Sequence, residues 1–299
     1  NVGVRCLSVL LAHGIKVPLV VTHQDNPSET IWFDSVVRLA ALHDIPAITP
    51  DDPNAPETMA RITALKPDFL FSFYYRHMLK APLLVLPRRG ALNVHGSLLP
   101  KYRGRVPVNW AVIRGETETG ATLHYMLGKP DAGDIVDRQA VPILPDDTAL
   151  DVFHKVTWAA EIVLHRALPL LVAGTAPRIS QDLSRGSYFS SRTPEDGRID
   201  WNGTADSVHN LVRGVAPPYP GAFSVINGKT VRILRTAREP GRRGNFSAPT
   251  LFAEGGRCYA QCAGGGVLRL VSLECGGKPV GPADIEAALG PTPISLPTV

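Results

Sequence analysis

The chain is poor in the features that mark several common protein classes. Its four cysteines, Cys6, Cys258, Cys262 and Cys275, contain no CxxC pair and none of the histidine spacing of a zinc site, so neither a disulfide framework nor a metal is implied. A GxGxxG fingerprint is absent, and Gly264-Gly265-Gly266 precedes a strand-like run and reads as a hairpin turn, so no dinucleotide is implied either. No apolar run approaches the roughly 20 residues that cross a bilayer, and the amino end carries no secretory signal, so no membrane partner and a reducing cytoplasm are expected. Charge of one sign is also scarce, with a formal net charge of +4 and acids interspersed among the bases. The densest basic cluster, Arg235, Arg238, Arg242 and Arg243, lies among Pro240, Gly241 and Gly244 and reads as a solvated loop rather than a nucleic-acid surface. What remains is an ordinary globular composition, 44% hydrophobic and 19% charged, on a 299-residue chain long enough for two domains.

Against that background one run stands out: Asn93-Val94-His95-Gly96-Ser97-Leu98-Leu99-Pro100-Lys101-Tyr102-Arg103-Gly104-Arg105, followed by Asp131 in Gly128-Lys129-Pro130-Asp131-Ala132-Gly133-Asp134. The apolar stretch Gly90 to His95, entered through Pro87-Arg88-Arg89, reads as a buried strand. Asn93 and His95 are two apart and therefore share a face. Gly96 to Pro100 ends the strand, which puts both at its carboxyl end, where open α/β sheets hold their ligands. An imidazole can move protons near neutrality, an amide can donate to a developing oxyanion, and a carboxylate can favour the imidazolium and fix its tautomer. Together they suit acyl or formyl transfer to an amine without a covalent nucleophile. Taken singly, each residue has an equally ordinary structural reading: a hydrogen-bonded strand histidine, a turn-forming asparagine and a loop aspartate.

Around this run the pattern alternates. Helical spacing from Phe33 to His43 and from Glu57 to Leu65 is interleaved with strand-like Val17–Val21, Ile45–Ile48 and Asp68–Phe73. A helix from about Pro107 to Arg114, a strand from Thr119 to Met126 and a long amphipathic helix from Asp151 to Val172, with Asp147 or Thr148 as its cap, follow. Such alternation predicts a parallel sheet with helices on both faces. After about residue 185 the texture changes to a helix at Ala205–Arg213 and short strands at Ala222–Ile226, Thr230–Leu234, Cys258–Cys262 and Val267–Leu273, separated by turns such as Asn227-Gly228. The expected organisation is an α/β domain over residues 1–185 and a small β-barrel domain over 186–299.

The Asn93 to Gly104 run with its downstream Asp131-Ala132-Gly133 resembles the signature of the 10-formyltetrahydrofolate-dependent formyltransferases. The likeness extends through Phe71 to His77, Val106 to Trp110, Gly115 to Gly120 and Val212 to Ala222. In that detail the chain is similar to the ArnA-type branch, whose substrate is UDP-4-amino-4-deoxy-L-arabinose in lipid A modification and polymyxin resistance. The resemblance implies a Rossmann-like formyltransferase domain followed by an OB-like barrel. It implies that Asn93 stabilises the oxyanion, that His95 donates a proton and that Asp131 raises the pKa of His95. It further implies formyl-folate contacts at His77, Met78, Leu79, Arg105 and the stretch Leu127, Gly128, Lys129, Pro130 and Asp131. The family's opening strand, which should precede the helix that begins near Asn1, is not found, so a sheet with unpaired edges is expected. The chain also ends before the dehydrogenase domain that ArnA-type proteins carry, which suits a free-standing enzyme or half of a longer one.

Three readings stay open on the sequence: amino-sugar formyltransferase acting on a nucleotide-linked sugar, methionyl-tRNA formyltransferase, and a binding module without turnover. The modest charge balance disfavours the second, since RNA recognition calls for a broad basic surface. The complete trio disfavours the third. Association of copies is undecided at this stage.

Overall fold

The computed structural model describes residues 1–24 and 33–298. The chain divides into two units, one of Asn1–Pro107, Glu118–Val141 and Phe153–Ser190, the other of Val108–Thr117, Pro142–Val152 and Ser191–Val299. In the first unit, α1 (Val2–Ala12) buries Val2, Cys6, Leu7 and Leu10, spaced to form one apolar face. It stops where Gly14 takes φ 68°, which lets the Ile15 N–H return to the Leu10 carbonyl. Strand β1 (Val20–Val21), helix α2 (Val36–Leu42), capped by Ser35, and β2 (Ala47–Ile48) follow, with β1 and β2 parallel. Leu7, Val20 and Ala40 form the small core among them.

Next come α3 (Pro56–Ala64), β3 (Phe69–Phe73), α4 (Ala81–Leu84), β4 (Gly90–His95), β5 (Arg103–Gly104), α5 (Pro107–Ile113), β6 (Glu118–Tyr125), β7 (Ile135–Pro142), α6 (Ala149–Ala173) and β8 (Tyr188–Phe189). Four strands form one sheet in the order β3-β4-β6-β7, and β5 pairs in parallel with β8. The expected parallel arrangement holds for β1–β2 and β3–β4 and ends at β6, which pairs antiparallel with β4. The parallel strands are in two pieces. A cavity of about 870 Å³ lined by Leu7, Leu10, Val20, Leu70 and Phe73 touches both β1 and β3, each of which has a single partner strand among the described residues.

Helix α6 corrects one expectation: by length and composition it is apolar enough to cross a membrane. Its burial explains the composition differently. Val156, Ala159, Ala160, Val163, Leu164, Ala167, Leu168 and Leu171 are buried at helical spacing, the stripe of a core helix, while the opposite face exposes His154, His165 and Arg166 together with the apolar Trp158, Ile162, Leu170 and Val172. Thr148 caps it reciprocally, with the Thr148 N–H donating to Asp151 Oδ2 at 2.8 Å and the Asp151 N–H to Thr148 Oγ1 at 3.2 Å.

In the second unit, α7 (Ala205–Gly214) is followed by β9 (Ala222–Ile226), β10 (Lys229–Arg243), β11 (Thr250–Glu254), β12 (Arg257–Gln261), β13 (Gly266–Cys275), β14 (Lys278–Val280), α8 (Ile285–Leu289) and β15 (Ile294–Ser295). They form one antiparallel sheet in the order β15-β11-β12-β13-β10-β9, with β14 on β13. Asn227 and Gly228 both have positive φ, as a two-residue turn between right-twisted strands requires. Trp201 is fully buried in the core and donates from Nε1 to Ser224 Oγ at 3.0 Å. The arginine cluster is not a loop. Arg235, Arg238, Arg242 and Arg243 lie on β10, which runs past Pro240 because the register slips there, and Arg238 and Arg242 pair with Asp206 and Glu254.

Candidate active site

Strand β4 is interior to its sheet, with β3 on one side and β6 on the other, and its register sets the site. Asn93 lies opposite His124 on β6, and His95 opposite Thr122. Beyond His95 the chain turns at Gly96, where a Cβ would overlap the Tyr74 hydroxyl at the end of β3. The turn then brings the Tyr102 carbonyl back over the imidazole. His95 is only 6% exposed, and its Nε2 lies 2.7 Å from the Tyr102 carbonyl. A carbonyl can only accept, so Nε2 carries the hydrogen and Nδ1 of the neutral ring holds a lone pair. That Nδ1 is 3.5 Å from Asp131 Oδ1.

Asp131 is held from two sides. Its Oδ2 accepts the Gly104 N–H at 2.9 Å, and the Gln181 side chain donates to its carbonyl at 3.0 Å. Its Oδ1 is also 3.5 Å from His124 Nε2. His124 donates from Nδ1 to the Tyr125 carbonyl at 2.8 Å, which leaves Nε2 as an acceptor for Asn93 Nδ2 at 3.3 Å. One hydrogen of the Asn93 amide is thereby committed to His124 and the other is left for a ligand.

The electrostatics favour a carboxylate that stays ionised beside a neutral imidazole. Burial is the largest influence on Asp131 and works to raise its pKa, but the Gly104 N–H and the pull of the His95 and His124 rings, when protonated, together outweigh it and bring it to about 2. For His95, burial is the largest influence and lowers the pKa, with His124 acting in the same direction. Asp131 and the Tyr102 carbonyl pull the other way. The influence of Asp131 is thus in the expected sense, while the net direction for His95 is the opposite of the one the sequence suggested, because enclosure by the Tyr102 turn removes the ring from water.

The structure therefore brings together Asn93 and His95, from one strand, and Asp131, from a distant loop. The other expected site residues lie on neighbouring segments and share no hydrogen bond or ion pair with the trio. His77 and Leu79 follow the end of β3, with the His77 ring 5.5 Å from that of Tyr75, and Met78 between them is 57% exposed while its carbonyl accepts from Asn54. Leu127 (57% exposed), Gly128 and Lys129 are exposed and Pro130 half-buried, in a loop closed by the Tyr125 N–H on the Asp134 carbonyl. Arg105 is exposed beyond β5. Sequence reasoning missed His124. Its only sequence signal is an interior position on the strand Thr119–Met126, and nothing in the sequence says which residue faces it.

Residues 10–168 match the family model described as formyl transferase, and residues 192–287 match formyl transferase, C-terminal domain. The chain belongs to the formyl transferase family. Solved structures agree with this formyltransferase in fold. An N-formyltransferase from Helicobacter canadensis, in complex with folinic acid and dTDP-3-aminofucose, is 20% identical with a TM-score of 0.70, covering 90% of this chain and 95% of its own. WlaRD, a sugar 3N-formyl transferase solved in the presence of dTDP and 5-N-formyl-THF, is 20% identical with a TM-score of 0.73, covering 93% and 95%. A sugar N-formyltransferase from a Shewanella species is 20% identical with a TM-score of 0.61, covering 77% and 90%.

Proposed function

We propose that this formyltransferase moves a formyl group from 10-formyltetrahydrofolate to the primary amine of a nucleotide-linked amino sugar, and that the acceptor is UDP-4-amino-4-deoxy-L-arabinose, for lipid A modification in the cytoplasm. The observation that carries the reading is the convergence of Asn93, His95 and Asp131 at the end of β4 in a chain of this family. Folate-bound relatives of the same fold support the donor, and the sequence likeness to the ArnA-type branch supports the acceptor.

The residues divide the work as follows. The free N–H of Asn93 donates to the formyl oxygen as the amine adds and the carbon becomes tetrahedral. The attacking amine sheds a proton to His95 Nδ1, and Asp131, 3.5 Å away, stabilises the imidazolium. When the carbon–nitrogen bond to the folate breaks, the same proton goes to the departing nitrogen. His77, Met78, Leu79, Arg105 and Leu127 to Asp131 hold the folate, and the catalytic domain is taken to end at residue 185, ahead of the C-terminal domain.

A second reading, an acceptor linked to dTDP, is favoured by the dTDP ligands of two relatives. Formyl-transfer assays with UDP-4-amino-4-deoxy-L-arabinose, a dTDP-linked amino sugar and methionyl-tRNA side by side decide among acceptors. Formylation of the UDP sugar alone supports the proposal. Transfer only to the dTDP sugar moves the assignment to that class, and transfer only to tRNA overturns it.

A further inference from the structure

Arg103 is 9% exposed, and among the described residues only one other arginine is as deeply buried. That one, Arg213 in the second unit, has partners: Nε donates to Asn210 Oδ1 at 2.9 Å and Nη1 to the carbonyls of Leu144 and Asp147. Arg103 has no such set. Among the described residues its Nε is enclosed without a hydrogen-bond partner, and its guanidinium makes no ion pair. The carboxylate close to it in the fold, Asp131, makes no ion pair with it: its Oδ2 accepts the Gly104 N–H and its Oδ1 faces the His95 and His124 rings at 3.5 Å. A guanidinium stays charged at any working pH, and a buried charge with no counter-ion is unfavourable.

The backbone around it is fixed. The Tyr102 N–H donates to Ser187 Oγ, the Arg103 N–H to the Ser187 carbonyl, and the Gly104 N–H to Asp131. A Cβ at Gly104 would overlap the Phe189 carbonyl, so this segment lies against β8 with no slack. The neighbouring carbonyl, that of Tyr102, is the one that holds His95. A charged fork is thus held ready, one residue from the proton-handling site, with its own counter-ion missing.

We infer that Arg103 is the seat for an anionic oxygen group of a substrate, a phosphate or carboxylate that its planar fork receives. The inference rests on the proposed function, which supplies two such groups, the diphosphate of the nucleotide sugar and the carboxylates of the folate. It also couples binding to chemistry, because an anion drawn onto Arg103 bears on the same turn that holds the imidazole.

The test is calorimetric titration of the full chain and of its R103K and R103M variants with UDP, dTDP, folinic acid and inorganic pyrophosphate, alongside thermal melting. Expected is at least a tenfold weaker binding of one ligand class in R103M, a smaller loss in R103K, and an unchanged affinity for the other class. Loss for UDP, dTDP and pyrophosphate identifies the diphosphate as the partner, and loss for folinic acid alone identifies the carboxylates. Unchanged affinities in R103M overturn the inference, as does a uniform loss accompanied by a lower melting temperature, which marks a packing role. If R103M does not fold, R103K decides: affinity equal to the parent for every ligand rules the seat out. Should the parent bind neither nucleotide nor folinic acid, the proposed function fails. Pyrophosphate binding that depends on Arg103 would still uphold the anion seat, and its absence would end that too.

Discussion

Two histidines, one in each unit, are buried to nearly the same degree, His95 at 6% and His209 at 3% exposed. Each donates from Nε2 to a backbone carbonyl, Tyr102 for His95 and Pro145 for His209, and each has its pKa lowered chiefly by burial. They part at Nδ1. In His209 it accepts from the Thr236 hydroxyl at 2.8 Å, so the ring is satisfied, and the nearest carboxylate, Asp146, is 75% exposed and free to point into water. In His95 it faces the enclosed Asp131 at 3.5 Å, an arrangement that improves when a proton arrives. Burial and a polar partner are therefore common to a structural histidine and a proton-handling one. The difference is an unmet proton site beside a carboxylate that cannot leave.

The sharpest break of this comparison is replacement of each ring. His95→Ala is expected to lower kcat by about 10³-fold, in the range of general acid–base catalysis, with the fold intact by circular dichroism. Asn93→Ala follows, with about 10²-fold lost from kcat and little change in KM, since its free N–H acts on the oxyanion rather than on bound substrate. Preserved kcat in either variant, measured under saturating substrates, contradicts the assigned role.

Asp131→Asn tests the carboxylate in two ways. Asp131 acts to raise the His95 pKa, so its loss lowers that pKa further and moves the acid limb of the pH–rate profile to lower pH, together with a fall in rate. The folded pKa of Asp131 is about 2 against an ordinary 3.8, so its charge stabilises the fold above pH 4 by about 2 kcal/mol, and this is lost as pH falls from about 4 to about 2. The variant should lack that part of the acid dependence in denaturant titrations across this window. His124, which orients Asn93, is a positioning residue. His124→Ala should lower kcat about tenfold, with KM nearly constant, and His124→Gln should recover part of it by offering Asn93 an acceptor. The smallest effect on turnover is expected from His209→Ala. It should leave kcat within twofold but lower stability by about 1–3 kcal/mol in thermal or urea unfolding, because Thr236 and the Pro145 carbonyl lose a buried partner.

How much of this was legible in the sequence differs by element. Helices α1, α3 and α7 were visible because their apolar faces repeat at helical spacing and caps mark their ends. Strands β9, β12 and β13 were visible because turns bracket them. Strand β7 was not: apart from Ile135 and Val136 its residues alternate without a strong apolar face, and its place comes from pairing at the sheet edge. Strand β10 runs longer than its sequence pattern suggests: Pro240 and Gly241 look like a break, and pairing with β13 carries the strand through. Within the site, Asn93 and His95 were legible from their spacing of two on one strand. Asp131 came from the family likeness, and the net direction of the His95 pKa depended on an enclosure no motif records.

By itself, then, the sequence determined which residues could share a face, where helices and turns begin, and which chemistry the Asn93 to Gly104 run could support, because these follow from local periodicity and residue type. Only the tertiary structure decided that β6 runs antiparallel to β4 and sets His124 against Asn93, that Asp131 reaches both imidazoles, and that Arg103 is enclosed without a counter-ion. Those facts join residues up to about 40 positions apart in the chain, and the pairing that joins them is chosen by burial and hydrogen-bond satisfaction over the whole unit, not by any local pattern.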